Sequence, residues 1–281
     1  MSQGTTILLG AIAGLTLFLG LPVARLRGLS RPTQGFLNAV ATGILIFLVW
    51  DVLGKANDPV RAAMGGLRSG QPRQFALMAG LFVGGLAVGL LALVYANRSL
   101  TRRYLKAKQR AGEGPGAAIS AQAAPVTLPV SGRWLAMMIA IGLGLHNFSE
   151  GLAIGASAAS GAIAFALVLV IGFSLHNITE GFGIAAPTAS DPHPPSWGFL
   201  LLAGLIGGGP TFIGTVIGYN FNNPYLFVLF LTLAAGALIY VISEMIAIGR
   251  RMNTPVALGW GLLLGFLAGY GTDLLLTWAG S

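Results

Sequence analysis

The sequence predicts an all-α polytopic membrane protein of eight transmembrane helices, and three observations carry that prediction. Hydrophobic residues make up 55% of the chain and charged residues only 9%, far less charge than a soluble domain needs to cover its surface. Gly supplies 42 of the 281 residues, a frequency suited to membrane helices, where small residues let backbones approach. Apolar segments of about 20 residues, enough to cross the hydrocarbon core, recur eight times, and alternating β-barrel patterning is absent.

The first span is expected at about 6–24. It has no basic region before it and no small-residue cleavage site, so it does not read as a cleaved signal peptide. Spans two and three are expected at about 35–54 and 75–96. An inner connection over 97–133 then opens with the basic run Thr101-Arg102-Arg103-Tyr104-Leu105-Lys106-Ala107-Lys108. That run should continue the third helix and lie on anionic membrane lipids. The Gly/Ala/Pro stretch after it reads as a flexible linker. Spans four and five follow at about 134–157 and 161–186, then spans six to eight at about 197–219, 225–248 and 255–279. The chain thus divides into 1–96, 97–133, 134–186 and 187–281. Between spans five and six, the loop histidine His193 reads as solvated.

Basic residues set the expected orientation. With the N-terminus outside, the inner connections hold Arg25, Arg27, Arg31, Arg98, Arg102, Arg103, Lys106, Lys108, Arg110, Arg133, Arg250 and Arg251, twelve of the 16 Lys and Arg. The outer ones hold Lys55, Arg61, Arg68 and Arg73. The positive-inside rule then places both termini outside and the 97–133 loop in the cytoplasm; compactness and the lack of a targeting segment point to a cell inner (plasma) membrane. The net charge of +8 is therefore a topology signal, and no nucleic-acid partner is expected. With no cysteine, disulfides and thiolate metal ligation are excluded.

Function is written in where the remaining charge lies. Five of the eight acidic residues fall inside apolar spans, Asp51, Glu150, Glu180, Glu244 and Asp273, together with His146 and His176. Lys55 and Arg133 are expected at span ends, leaving no interior Lys or Arg to pair these acids. Ionisable groups at membrane depth cost several kcal/mol, about 2.5–3.5 on insertion scales, so they mark function by default. A set this one-sided calls for a cation from outside the polypeptide.

Two hexapeptides sharpen that reading: His146-Asn147-Phe148-Ser149-Glu150-Gly151 and His176-Asn177-Ile178-Thr179-Glu180-Gly181. His and Glu stand at i and i+4, on one helix face. Spans four and five form an antiparallel hairpin, so the two faces can converge as two imidazoles and two carboxylates. One HxxxE pair could be an interhelical hydrogen bond, but two copies on neighbouring helices point to metal. N/O donors of this kind suit Zn²⁺, and Fe²⁺ or Mn²⁺ also. Asn147 and Asn177 could add carbonyl oxygens, and glycines 151, 155, 172, 181 and 183 should let the helices approach closely. Asp51, Glu244 and Asp273 are weaker candidates for ligands or for entrance, exit and proton steps.

The paired motifs, on the fourth and fifth of eight spans behind a basic inner loop, resemble the ZIP (Zrt/Irt-like) divalent-metal transporters, most closely the bacterial GufA-like branch. The resemblance implies inverted repeats of spans 1–3 and 6–8 around the 4–5 hairpin. It implies a metal site midway across the membrane, with zinc the usual substrate, iron, manganese or cadmium (Cd²⁺) as variants, and no organic cofactor. His146, Glu150, His176 and Glu180 match the primary site. Asn147 and Asn177 match a neighbouring second site, with Glu180 bridging. Dimers are common in that family, so a homodimer is compatible.

The chain departs from the family in three places. Ser149 and Thr179 stand where Pro is frequent, so any kink should come from hydroxyl back-bonding. Asn177 replaces an aspartate found in some relatives. Gly207-Gly208-Gly209-Pro210 replaces a Glu-Pro step, and its break should expose backbone carbonyls near the path. One strong site and at most one weak one are expected. Without a GxxxxGK[ST] motif, transport would run on gradients. The rival readings are a passive divalent-cation channel and an intramembrane metal-dependent hydrolase; the chain lacks HExxH, and the expectation is that it is not an enzyme.

Overall fold

The computed structural model describes residues 1–26, 28–68, 72–110, 132–191, 193–221 and 223–280. Among them are eight helices long and apolar enough to cross a membrane: Gln3–Arg25, Arg31–Leu67, Pro72–Ser99, Gly132–Ala159, Ile163–Thr188, Trp197–Asn220, Pro224–Arg251 and Pro255–Leu275. They are spans one to eight, and the described residues contain no strand. The basic run 101–108 continues span three's helix, which ends at Arg110. The expected flexible linker falls on 111–131, outside the described residues.

Local chemistry sets the boundaries. Ser2 and Ser196 cap spans one and six, their hydroxyls accepting from the amides of Thr5 (3.2 Å) and Phe199 (3.1 Å). Asn223 Oδ1 accepts from Tyr225 and Leu226 ahead of span seven, where Pro224 supplies a ready-made first turn. Spans four and five turn back on each other through Gly161, whose φ of 83° only Gly adopts without strain.

Span one is not one unbroken helix. It runs Gln3–Leu15, resumes at Leu17–Gly20 and ends in a 3-10 turn, Leu21–Arg25. Thr16 fills the break, its hydroxyl 2.7 Å from the Ala13 carbonyl and 2.8 Å from the Ser174 carbonyl of span five. Span six departs from expectation in the opposite sense. Its helix passes through Gly207-Gly208-Gly209-Pro210 without interruption, with Pro210 inside it.

Span four lies at the centre, with 72% of its most apolar window buried against 17% for spans three and eight. Its most extensive packing is with span six, not with its hairpin partner. Gly151 and Gly155 face span six backbone, while Gly181 faces span one at Leu17. These glycines thus serve the flanking helices and not, as expected, the approach of spans four and five to each other. Spans one and six cross at Gly14 and Gly208, where a Cβ on either residue would strike the other's carbonyl.

One end of the bundle holds Gly161, the start of span one and the end of span six, where Gln3 Nε2 donates to Asn220 Oδ1 (3.4 Å). At the opposite end the Asp191 carboxylate accepts from the amides of Gly132 (2.8 Å) and Arg133 (3.2 Å), tying the 187–196 loop to the first turn of span four. Arg133 also reaches the carbonyls of His193 and Pro194. His193 itself is exposed, as expected.

Candidate metal centre

The two hexapeptides meet at the middle of the bundle. His146, Glu150, His176 and Glu180 are between 0 and 5% exposed, and a ligand atom from each of His146, Glu150 and His176 lies within 4.8 Å of the other two. His146 Nε2 is 3.3 Å from Glu150 Oε1 and 3.7 Å from Glu180 Oε1; His176 Nε2 is 3.5 Å from the same Glu180 oxygen. The imidazole centroids are 6.0 Å apart. Helical periodicity produces this directly, because each His and Glu pair spans one turn and the hairpin sets the two turns side by side.

These spacings can be tested against a cation. A tetrahedral ion with bonds of about 2.0–2.1 Å holds neighbouring ligand atoms about 3.3–3.4 Å apart. Three of the spacings, 3.3–3.7 Å, lie within tenths of an ångström of that value, and the atoms of His146, Glu150 and His176 lie within 4.8 Å of one another. In addition, His146 Nε2, Glu150 Oε2, His176 Nε2 and Glu180 Oε1 are buried without a hydrogen-bond partner. Buried polar atoms are normally satisfied, so four of them left unbonded within one cluster fit a ligand-binding role. The donor set fits a borderline divalent ion.

The asparagines are anchors. Asn147 Nδ2 donates to Glu180 Oε2 (2.9 Å) and to the Gly207 carbonyl of span six (3.0 Å). Asn177 Nδ2 donates to the Ala13 carbonyl of span one (2.8 Å). The Gly-Gly-Gly-Pro segment therefore does not open carbonyls along the path by a break; its Gly207 carbonyl, within an unbroken helix, accepts from Asn147. Both Asn Oδ1 atoms are buried and unbonded, and Asn177 is turned to span one. The hydroxyls back-bond as expected, Thr179 to the His176 carbonyl (2.7 Å) and Ser149 to that of Leu145 (3.4 Å).

Asn147 orients a carboxylate of the group through a direct hydrogen bond. Partners of this kind are worth about 10–100-fold in metal affinity. Asn147→Leu is expected to weaken Zn²⁺ binding by that factor while leaving one ion per chain, as measured by titration of the purified protein.

The remaining candidates lie outside the group. Glu244 is on span seven toward its Arg251 end, half-buried. Asp51 is engaged elsewhere: Lys55 Nζ donates to its Oδ2 at 2.7 Å. This corrects the expectation that the interior acids lack a basic partner. Span two does not stop near residue 54 but continues to Arg68, so Lys55 stands mid-helix one turn beyond Asp51. The sequence signal was present in the i, i+4 spacing of Asp51 and Lys55; it was hidden by ending the helix with the apolar run.

A cavity of about 310 Å³ leads to the group, lined by Lys55, His146, Glu150 and Asp273 and otherwise mainly by apolar side chains such as Phe165 and Phe227. Phe165 and Phe227 belong to the first turns of spans five and seven, so it runs toward the Gly161 end. Asp273 thus lies along the approach and not in the group. Together the residues form a buried N/O cluster in which His146, Glu150 and His176 are spaced so that they could hold a metal ion, reached along a mostly apolar path. No family model matches the chain, and no curated protein matches it.

Proposed function

We propose that the protein is a ZIP-type carrier of divalent metal ions, Zn²⁺ foremost with Fe²⁺, Mn²⁺ or Cd²⁺ as alternatives, moving them toward the cytoplasm across a cell inner membrane. The observation that carries this reading is the burial together of two histidines and two glutamates from a repeated motif, with His146, Glu150 and His176 close enough to share one ion. The metal is substrate: Glu150 and Glu180 supply its charge compensation, and His146 and His176 favour borderline ions over Mg²⁺ or Ca²⁺, which prefer all-oxygen sites.

Helix pairing supports an inverted repeat of spans 1–3 and 6–8 around spans four and five. Span three packs on span seven as span eight packs on span two, and spans one and six and spans two and seven meet directly. The asparagines follow the same relation, Asn147 bonding span six and Asn177 bonding span one. A carrier is favoured over a channel because the cavity approaches the group from the Gly161 end, while at the opposite end Asp191 ties its loop to span four.

The test is uptake of Zn²⁺ into proteoliposomes loaded with a zinc-sensitive dye. Wild type should show saturable uptake, and His176→Ala should lose it by about 100-fold or more, beyond the effect of removing a supporting partner. Undiminished uptake by a folded His176→Ala protein would refute the proposed path. Uptake linear in concentration without saturation would move the reading to a channel.

A further inference from the structure

The only Lys or Arg among the described residues lining the cavity is Lys55, and it shares that wall with His146, Glu150 and Asp273. Its ammonium does not swing freely, because Asp51 holds it at 2.7 Å from the preceding turn of the same helix. The Asp51 side chain is 12% exposed and the Lys55 side chain 41%. The carboxylate is thus the more buried partner, and Lys55 is the member of the pair that lines the cavity. A cation pathway has no evident use for a fixed positive charge as an attractant; its effect on a dication is repulsive. Placing one beside a group of two carboxylates and two imidazoles costs affinity. A transport site benefits from that cost, because it must bind strongly enough to load and weakly enough to release.

We propose that Lys55 is a built-in counter-charge that sets the affinity of the metal group, weakening its hold on a divalent ion so that the ion can leave. The proposal rests on the carrier reading above and adds to it a residue that determines turnover and charge selectivity. Asp51 acts as the positioning partner that keeps the ammonium at the wall. A dication feels twice the repulsion that a monovalent ion feels at the same place. Removing the charge therefore strengthens binding of divalent ions most.

The experiment compares wild type, Lys55→Met and Lys55→Arg. Each is titrated with Zn²⁺ alone and then assayed for uptake in proteoliposomes. Lys55→Met keeps an unbranched side chain one atom shorter and loses its charge. It should bind Zn²⁺ on the order of tenfold more tightly, with a lower KM and a lower maximal rate. Lys55→Arg keeps the charge and should restore values within about threefold of wild type. A merely structural role for the Asp51–Lys55 pair would weaken binding in Lys55→Met or leave it unchanged, and either result overturns the proposal. Should Lys55→Met elute as an aggregate, Lys55→Gln serves the same comparison. Wild type that binds no Zn²⁺ refutes the carrier reading itself. Wild type that binds, with Lys55→Met binding equally, refutes the counter-charge alone.

Discussion

Glu180→Gln is expected to lower Zn²⁺ affinity by about 100-fold or more and to abolish uptake. Glu180 is the residue on which the group closes: one oxygen stands 3.5 and 3.7 Å from the two imidazole nitrogens, and the other is held by Asn147 at 2.9 Å. Gln preserves the volume and can still accept from Asn147, so the change isolates the charge. Because Glu180 is 0% exposed, a lost charge there beside a dication is weakly screened by solvent. The same substitution should leave the metal-free protein at least as stable as wild type, because buried unpaired charge opposes folding. Zinc should therefore raise the Tm of wild type, by the equivalent of about 2.7 kcal/mol at a hundred times Kd, and that of Glu180→Gln by the equivalent of about 0.4 kcal/mol or less at the same zinc concentration. Thermal unfolding in detergent with and without Zn²⁺ reads both effects.

Gly151→Val should cost about 1–3 kcal/mol or more and disable the site with it. A Cβ at Gly151 would run into the Thr211 carbonyl and the Thr215 amide, and one at Gly214 would meet the Phe148 carbonyl. Spans four and six are in backbone contact there, with no side chain to give way. Because Gly151 follows Glu150, separating the helices displaces a residue of the metal group. Gly183→Ala is the control: its Cβ meets only Leu45 Cδ2 at 3.9 Å, and Ala favours the helix. A large loss of Tm and of Zn²⁺ binding for Gly151→Val, with neither for Gly183→Ala, is the expected pattern.

The eight apolar helices and the meeting of the two His/Glu pairs were legible because both follow from short-range rules. Apolar length marks a span, and an i, i+4 pair shares a helix face whatever surrounds it. What lay beyond the sequence depended on partners distant along the chain. Asn147 and Asn177 carry oxygens that suit a metal, and nothing nearby indicates that their amide nitrogens go to Gly207 and Ala13 of other helices. The Gly-Gly-Gly-Pro segment reads locally as a break, yet packing on spans one and four holds it helical. The place of Lys55 is hidden for a third reason. The helix outlasts its apolar run, so a residue assigned to a span end stands instead on the cavity wall.

The central claim is that one ion is held by His146, Glu150, His176 and Glu180, and X-ray absorption of the zinc-loaded protein tests it most directly. The account predicts an N/O shell at about 2.0–2.1 Å with the outer-shell signature of two imidazoles, lost in His146→Ala/His176→Ala. An all-oxygen shell, or an imidazole signature that survives that double substitution, would contradict it.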